Sequence, residues 1–224
     1  VLLASAELPG ADVHALIDQA QAEVEDAGAL IDEILFLSEL ESGKEVVSLG
    51  HTVALPVLED VLTSLGDMAA RAGVELASEG DPNVDVPLRP RMLRIVAENL
   101  AENAIRYAGH GARFTFSIVR SGDFAVMTAA DDGVGVTEAA LPRLFERFYR
   151  ADAARTTRGT GLGLAIVKRI IEEHSGTMAL EDRPGGGARV RLVFNLDALD
   201  ALIADAPQGE WTSGEMSMSE SGRA

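Results

Sequence analysis

Residues Arg113–Arg120 and Asp123–Ala130 alternate apolar and polar side chains with a period of two, and "SGD" between them permits only a tight turn. Alternation of this kind marks strands that bury one face each, so the segment reads as a β-hairpin. A hairpin is not stable in water by itself and needs further strands or helices laid on its apolar face. The flanking sequence supplies both. Helical periodicity is predicted near Leu55–Ala72, over Arg91–Tyr107, around Leu141–Phe148, and from Gly163 to His174. Short strands are predicted at Val46–Leu49 and Val74–Ser78, and a second hairpin joins Thr177–Glu181 to Ala188–Leu196 around "RPGGG". "EGDPNVDVPLRP", with Pro82, Pro87 and Pro90, reads as a loop. The expected fold is α+β: a two-layer sandwich with helices on one face of a mainly antiparallel sheet.

The N-terminal part obeys a different period. Val13, Ile17, Ala20, Val24, Ala27, Ile31 and Ile34 recur in steps of three and four, a heptad seam, and Leu16, Leu30 and Leu37 widen it. One helix over residues 13–40 is predicted, of the kind found in four-helix bundles. "LPG" at Leu8–Gly10 reads as a turn, with Val1–Leu8 as the end of a preceding antiparallel helix. The chain divides into residues 1–43, a partial helical hairpin; 44–196, the α/β domain; and 197–224, a polar acidic tail read as disordered.

Charge follows the same division. Of the net −17 over 224 residues, residues 1–43 hold −10 and residues 197–224 hold −5; subtracting both leaves −2 for the middle. No broad basic face is present to meet nucleic acid or an anionic membrane. Any phosphate chemistry must therefore be local, made by backbone dipoles, a metal ion and a few arginines. There is no cysteine, which excludes disulfides, thiolate metal sites and a thiol nucleophile and fits a reducing cytoplasm. No apolar run is long enough to span a bilayer, and "VLLASAEL" is too short and lacks the basic flank of a signal peptide.

Three stretches carry chemistry. "RGTGLGLAIVKRIIEEHSG" places Gly159, Gly161 and Gly163 at the mouth of a helix, where converging backbone N–H groups and the helix dipole favour an anion. No strand precedes it and no Gly-Lys-Ser/Thr follows, so it is neither a dinucleotide fingerprint nor a Walker A loop. "DDGVGV" puts Asp131 at a strand end before Gly133 and Gly135, where a carboxylate can accept a hydrogen bond from an exocyclic amine. "ENLAENAIRYAG" sets Asn99 and Asn103 one helical turn apart, so that two amide carbonyls share a face and can offer oxygen ligands to a hard cation such as Mg²⁺. Taken singly, these stretches also fit a hinge, an ordinary Asp-Gly turn and an exposed polar helix face.

In this order and spacing they closely resemble the catalytic ATP-binding domain of sensor histidine kinases, over roughly Leu49–Leu196. "NLAENAIRY" is similar to the family's N box, "DDGVG" to its G1 box, "LFERFYR" to its F box and "GTGLGLAIVKRIIEEHSG" to its G2 box. The helix ending "LIDEILFLSELESG" resembles the second helix of the family's dimerisation and phosphoacceptor domain. The resemblance implies a histidine-kinase/gyrase-type ATPase fold that binds ATP and Mg²⁺. It implies that Asp131 reads the adenine amine, that Asn103 ligates the metal with help from Asn99, and that Arg106 meets phosphate oxygens. Tyr107 would flank adenine or ribose. Gly159, Thr160, Gly161, Leu162 and Gly163, with Leu164 at the helix start, would line the triphosphate. Tyr149–Arg158 would be an ATP lid anchored by Phe145 and Phe148, with Arg150, Arg155 or Arg158 reaching the γ-phosphate. The implied partners are a response regulator and a second copy of the chain through the N-terminal helices.

The family's phosphoacceptor is a His followed by an acid, a basic residue and Thr-Pro. None of His14, His51, His110 and His174 has that context. The sequence therefore predicts a catalytic part of a cytoplasmic kinase module whose acceptor lies upstream of Val1 or on another polypeptide. The alternatives are a split kinase subunit, a nucleotide-binding pseudokinase scaffold, and a gyrase- or chaperone-type hydrolase. The last uses a glutamate one turn before the metal asparagine, where this chain has Asn99.

Overall fold

In a computed structural model, the structure describes residues 10–42, 50–151, 159–183 and 185–197. The first element is helix α1, Gly10–Ser42, which covers the predicted 13–40 and extends it at both ends. Strand β1 (Thr52–Val53) leads into α2 (Ala54–Ser64) and α3 (Gly66–Ala72). Leu65 breaks the predicted single helix here: its φ of −91° and ψ of −1° leave helical geometry just before Gly66. The glycine at C′, Gly73, closes α3 in the left-handed region at φ 70°, the usual device for ending a helix.

Strand β2 (Glu75–Gly80) follows, and the proline-rich loop contains a two-residue strand, β3 (Asp85–Val86), that pairs with β1. The buried Thr52 hydroxyl donates to the Leu88 carbonyl at 2.6 Å and fixes this small ladder. Helix α4 (Pro90–Tyr107) has proline in its first turn, where no N–H is required. Strands β4 (Arg113–Ser121) and β5 (Phe124–Asp131) form the predicted hairpin. Helix α5 (Gly163–Glu173) and the hairpin of β6 (Thr177–Asp182) with β7 (Ala188–Asn195) are the last elements among the described residues.

The five-stranded sheet runs β2-β4-β5-β7-β6, antiparallel except for the β2–β4 pair. Its core face, including Phe116, Ile118, Met127, Leu192 and Phe194, is covered by α4 and α5. On α4 the buried residues Leu93, Val96, Ala97, Leu100, Ala101 and Ala104 recur at helical spacing. The opposite face of α4 carries Arg94–Glu98 and Glu102–Arg106 ion pairs at i,i+4. On α5, Ile166, Val167, Ile170 and Ile171 are inward.

The predicted helix around Leu141–Phe148 is not formed; a single 3₁₀ turn at Leu141–Arg143 stands in its place. Hydrogen bonds there close separate turns three residues apart, Arg143 to Ala140, Glu146 to Arg143 and Tyr149 to Glu146. Pro142 supplies no donor, and Phe148 takes a left-handed φ of 61°, so the helical ladder cannot propagate. The expected strand at 46–49, the helix end at 1–8 and the acidic tail beyond Asp197 lie outside the described residues.

Helix α1 does not stand apart from the sandwich. Leu37 and Leu40 are buried in the same core as α4 and α5, with Leu30 and Phe36 packed against it. The residues of the heptad seam, Ile17, Val24, Ile31 and Ile34, are exposed. Leu37→Ala removes a buried anchor of this docking and is expected to cost about 2–4 kcal/mol. Denaturant unfolding reads the loss, and hydrogen exchange should rise first in the last turns of α1.

Candidate functional site

Residues from three separate stretches meet where α4 and α5 cross beside the end of β5. Asn99 and Asn103 are half-buried on α4. The Asn99 amide nitrogen donates to the Ile95 carbonyl at 2.8 Å, which fixes the side chain and turns its oxygen toward Gly163. A Cβ at Gly163 would overlap that oxygen, so any larger residue there requires the Asn99 side chain to shift. Asn103, one turn further on, is half-buried and has no side-chain hydrogen bond among the described residues.

The C-terminal end of α4 meets the Asp-Gly strand end in the same way. A Cβ at Gly133 would overlap the Ala108 carbonyl, which accepts the Val134 N–H at 3.0 Å. The Gly133 N–H turns back to Asp131 Oδ1 at 2.9 Å, so one carboxylate oxygen orients the group. Gly135 takes φ 72°, which carries the chain away from the site. Arg106 Nη1 and the Tyr107 hydroxyl both lie 3.4 Å from where a Gly159 Cβ would sit, and so bring the end of α4 against the glycine loop. Arg106 is also held by Glu102 at 2.6 Å.

The loop itself is braced from two sides. Gly161, at φ 75°, packs on the Phe148–Tyr149 backbone, and its carbonyl accepts the Phe148 N–H at 3.0 Å. The left-handed Phe148 costs roughly 1–2 kcal/mol, which this strap onto the loop offsets. Arg143 stacks on the Tyr149 ring at 4.3 Å, and Arg150, half-buried, follows directly in a cleft of about 370 Å³ lined by Arg143, Glu146 and Arg147. The other brace comes from α1: the Thr160 hydroxyl donates to Glu33 Oε2 at 2.5 Å while accepting the Leu162 N–H at 3.2 Å.

This geometry amends two expectations. Leu162 is buried and its N–H is engaged by Thr160, so its N–H is not free for an anion; Gly161 and Gly163 flank it. Leu164 is half-buried and packs its side chain against the core. Arg155 and Arg158 lie outside the described residues. Among the described residues no group of three or more His, Asp or Glu side chains is placed to hold a metal, so a cation here would rest on amide oxygens, water and ligand phosphates. The Asn103 carbonyl suits that donor set, with Asn99 one turn before it turned toward Gly163.

Two contacts were not foreseen. Glu33 sits in a helix read only for its apolar seam. Arg183 Nη1 donates to the Asp131 carbonyl at 2.6 Å from the β6–β7 turn. The three consecutive glycines at 185–187 signal a close approach of that turn to another backbone, but the sequence does not say to which.

Residues 89–198 match the family described as histidine kinase-, DNA gyrase B- and HSP90-like ATPase. The sensor-like histidine kinase SenX3 of Mycobacterium tuberculosis is 31% identical over 208 residues, covering 90% of this chain and 50% of SenX3.

The chain carries a sensor histidine kinase catalytic domain.

It spans about half the length of that curated relative. Full-length ShkA in complex with AMPPNP is similar in structure with a TM-score of 0.67 at 25% identity, over 79% of this chain and 37% of ShkA. The histidine kinase ThkA, in complex with the response regulator TrrA, gives a TM-score of 0.66 at 16% identity over 85% of this chain and 53% of ThkA, a likeness of fold alone. No described helix is long and apolar enough to cross a membrane.

Because Gly163 leaves no room for a side chain beside Asn99, Gly163→Ala is expected to push α5 off α4 and destabilise the domain by about 1–3 kcal/mol. Thermal unfolding measures this, and an unchanged midpoint would show that the contact yields.

Proposed function

We propose that the chain binds ATP with Mg²⁺ and passes the γ-phosphoryl group to a histidine not contained in it, for relay to an aspartate of a response regulator. The observation that carries this is that both glycine stretches close on α4: Gly163 on Asn99, Gly159 on Arg106 and Tyr107, and Gly133 on the Ala108 carbonyl. Phosphoryl transfer asks for positioning and charge neutralisation more than for covalent chemistry by the protein. The free carboxylate oxygen of Asp131 accepts the adenine amine. Tyr107 flanks the base or ribose. Arg106 and the backbone of Gly159, Gly161 and Gly163 face the phosphates, and Arg150 lies at the root of the lid. A bound Mg²⁺, held by Asn103 with Asn99 beside it, supplies charge neutralisation on the phosphates.

Hydrolysis is the second reading, because the matched family includes ATPases. Asn99 cannot serve as a base for water. The neighbouring acids are engaged in ion pairs, Glu98 with Arg94 at 3.8 Å and Glu102 with Arg106 at 2.6 Å. Burial holds the Glu98 carboxyl above its usual range, opposed by Arg94 and reinforced by Glu102. It thus keeps its proton to higher pH than a free carboxylate, but it sits on the ion-paired face. Intrinsic hydrolysis is expected to be slow.

Three histidines have defined surroundings away from the glycine loop. His51 lies 3.5 Å from Asp85, His110 is exposed in a loop beside Gly73, and His174 Nδ1 is held 2.8 Å from the Ile170 carbonyl at the end of α5. The side chain of His14 lies outside the described residues. The domain division at residues 43 and 196 is part of the same proposal, as is a cytoplasmic location, where ATP is available. The response regulator as partner rests on the likeness to ThkA bound to TrrA. The exposed seam of Ile17, Val24, Ile31 and Ile34 fits a second copy of α1.

Calorimetry with Asn103→Ala tests the site. Affinity for ATP in excess Mg²⁺ is expected to fall to the metal-free value, about ten-fold or more, with the metal-free affinity unchanged. Equal affinities of wild type and variant under both conditions would remove Asn103 from the site. For the dimer, Val24→Asp is expected to shift light-scattering mass toward the monomer; a wild-type chain that is monomeric at all concentrations contradicts the seam's role.

A further inference from the structure

Asp131 can read a purine only if its carboxylate points one way, and the structure holds it from three directions. Within the residue's own turn, Oδ1 takes the Gly133 N–H. On the β4 side, the Arg113 N–H donates to Asp132 Oδ1 at 2.6 Å and the Asp132 N–H returns to the Arg113 carbonyl at 3.2 Å. On the β7 side, regular pairing stops at Ala130 with Arg189, and the β6–β7 turn takes over. That turn is closed by two backbone bonds, Arg183 N–H to Gly187 carbonyl and Gly186 N–H to Arg183 carbonyl, each 3.0 Å. Gly187, at φ 89°, rides so close to the Asp131 carbonyl that a Cβ would overlap it, and a Cβ on Gly186 would lie 3.1 Å from the Gly133 carbonyl. From this platform the Arg183 guanidinium donates to the Asp131 carbonyl at 2.6 Å. Among the described residues its contact is with the backbone and not with the carboxylate, so it acts through Asp131.

We propose that Arg183 is a positioning residue for nucleotide recognition. Its charge-assisted bond locks the peptide after Asp131, and with it the direction of the base-reading carboxylate. The lock sets how strictly the site requires an exocyclic amine on the purine. This rests on the assignment of Asp131 as the adenine-reading group. A simple tie for the hairpin would, when cut, weaken every nucleotide alike. A positioning clamp, when cut, costs the amine-bearing base more than a base without it.

The test compares ADP with IDP, whose hypoxanthine carries a carbonyl in place of the amine, by calorimetry in Mg²⁺ on the whole chain. Wild type is expected to prefer ADP, and Arg183→Gln to reduce the ADP:IDP affinity ratio roughly ten-fold, the scale of one charge-assisted hydrogen bond. Arg183→Met, which keeps the apolar stem, should give the same drop and serves if the Gln variant does not fold. Arg183→Lys, which keeps a charged donor, should restore most of the ratio. In the nucleotide-free chain, the Gly133 amide should exchange faster in Arg183→Gln than in wild type. A discriminating wild type whose ratio and Gly133 exchange are both untouched by Arg183→Gln overturns the proposal alone. A wild type that takes ADP and IDP equally overturns the base-reading role of Asp131 together with it.

Discussion

The close approach of α4 and α5 at Asn99 and Gly163 is the contact on which the site depends. Asn99 is locked by its bond to Ile95, and Gly163 leaves the space its oxygen needs. That approach brings the asparagine face of α4 against the glycine loop that opens α5. It is supported below by a continuous core, Leu93, Val96 and Leu100 from α4 against Ile166 and Ile170 from α5, over the central strands. The third wall arrives through a second approach of the same kind, Gly133 on the Ala108 carbonyl. Two of the glycines in the motifs therefore act by permitting contact between elements. Gly135 and Gly161 instead act through their left-handed φ.

Helix α1 is joined to this arrangement both by packing and by a polar contact. Leu37 and Leu40 enter the catalytic core, and Glu33 takes the Thr160 hydroxyl within the glycine loop. A carboxylate thus stands next to the segment that would face a triphosphate. The loop's conformation is coupled to the docked position of α1 through one hydrogen bond and its neighbouring apolar contacts.

Much of the sandwich was legible in the sequence, because its elements have strong periods. The hairpin at 113–130 and helix α4 have boundaries within one residue of expectation, since alternation and the helical stripe run unbroken between turn residues. The break at Leu65 was not legible, because the apolar pattern continues across it. The missing helix at 141–148 shows the opposite case. Apolar spacing there reflects a strap whose Phe148 reaches for the Gly161 carbonyl, a long-range bond that local pattern cannot reveal. Within the site, the candidate residues of the three stretches could be picked out from motif spacing. Glu33 and Arg183 could not, as each contributes through a partner distant in sequence, Thr160 and Asp131.

The central claim is that the α4, β5 and α5 stretches make one adenine nucleotide site. The most direct measurement is an amide NMR titration of the chain with Mg²⁺ and ADP. Saturable shifts confined to Asn99–Tyr107, Asp131–Gly135 and Gly159–Leu164, following a single binding curve, are the predicted result. Saturation with shifts in only one of these stretches, or elsewhere on the sandwich, would contradict it.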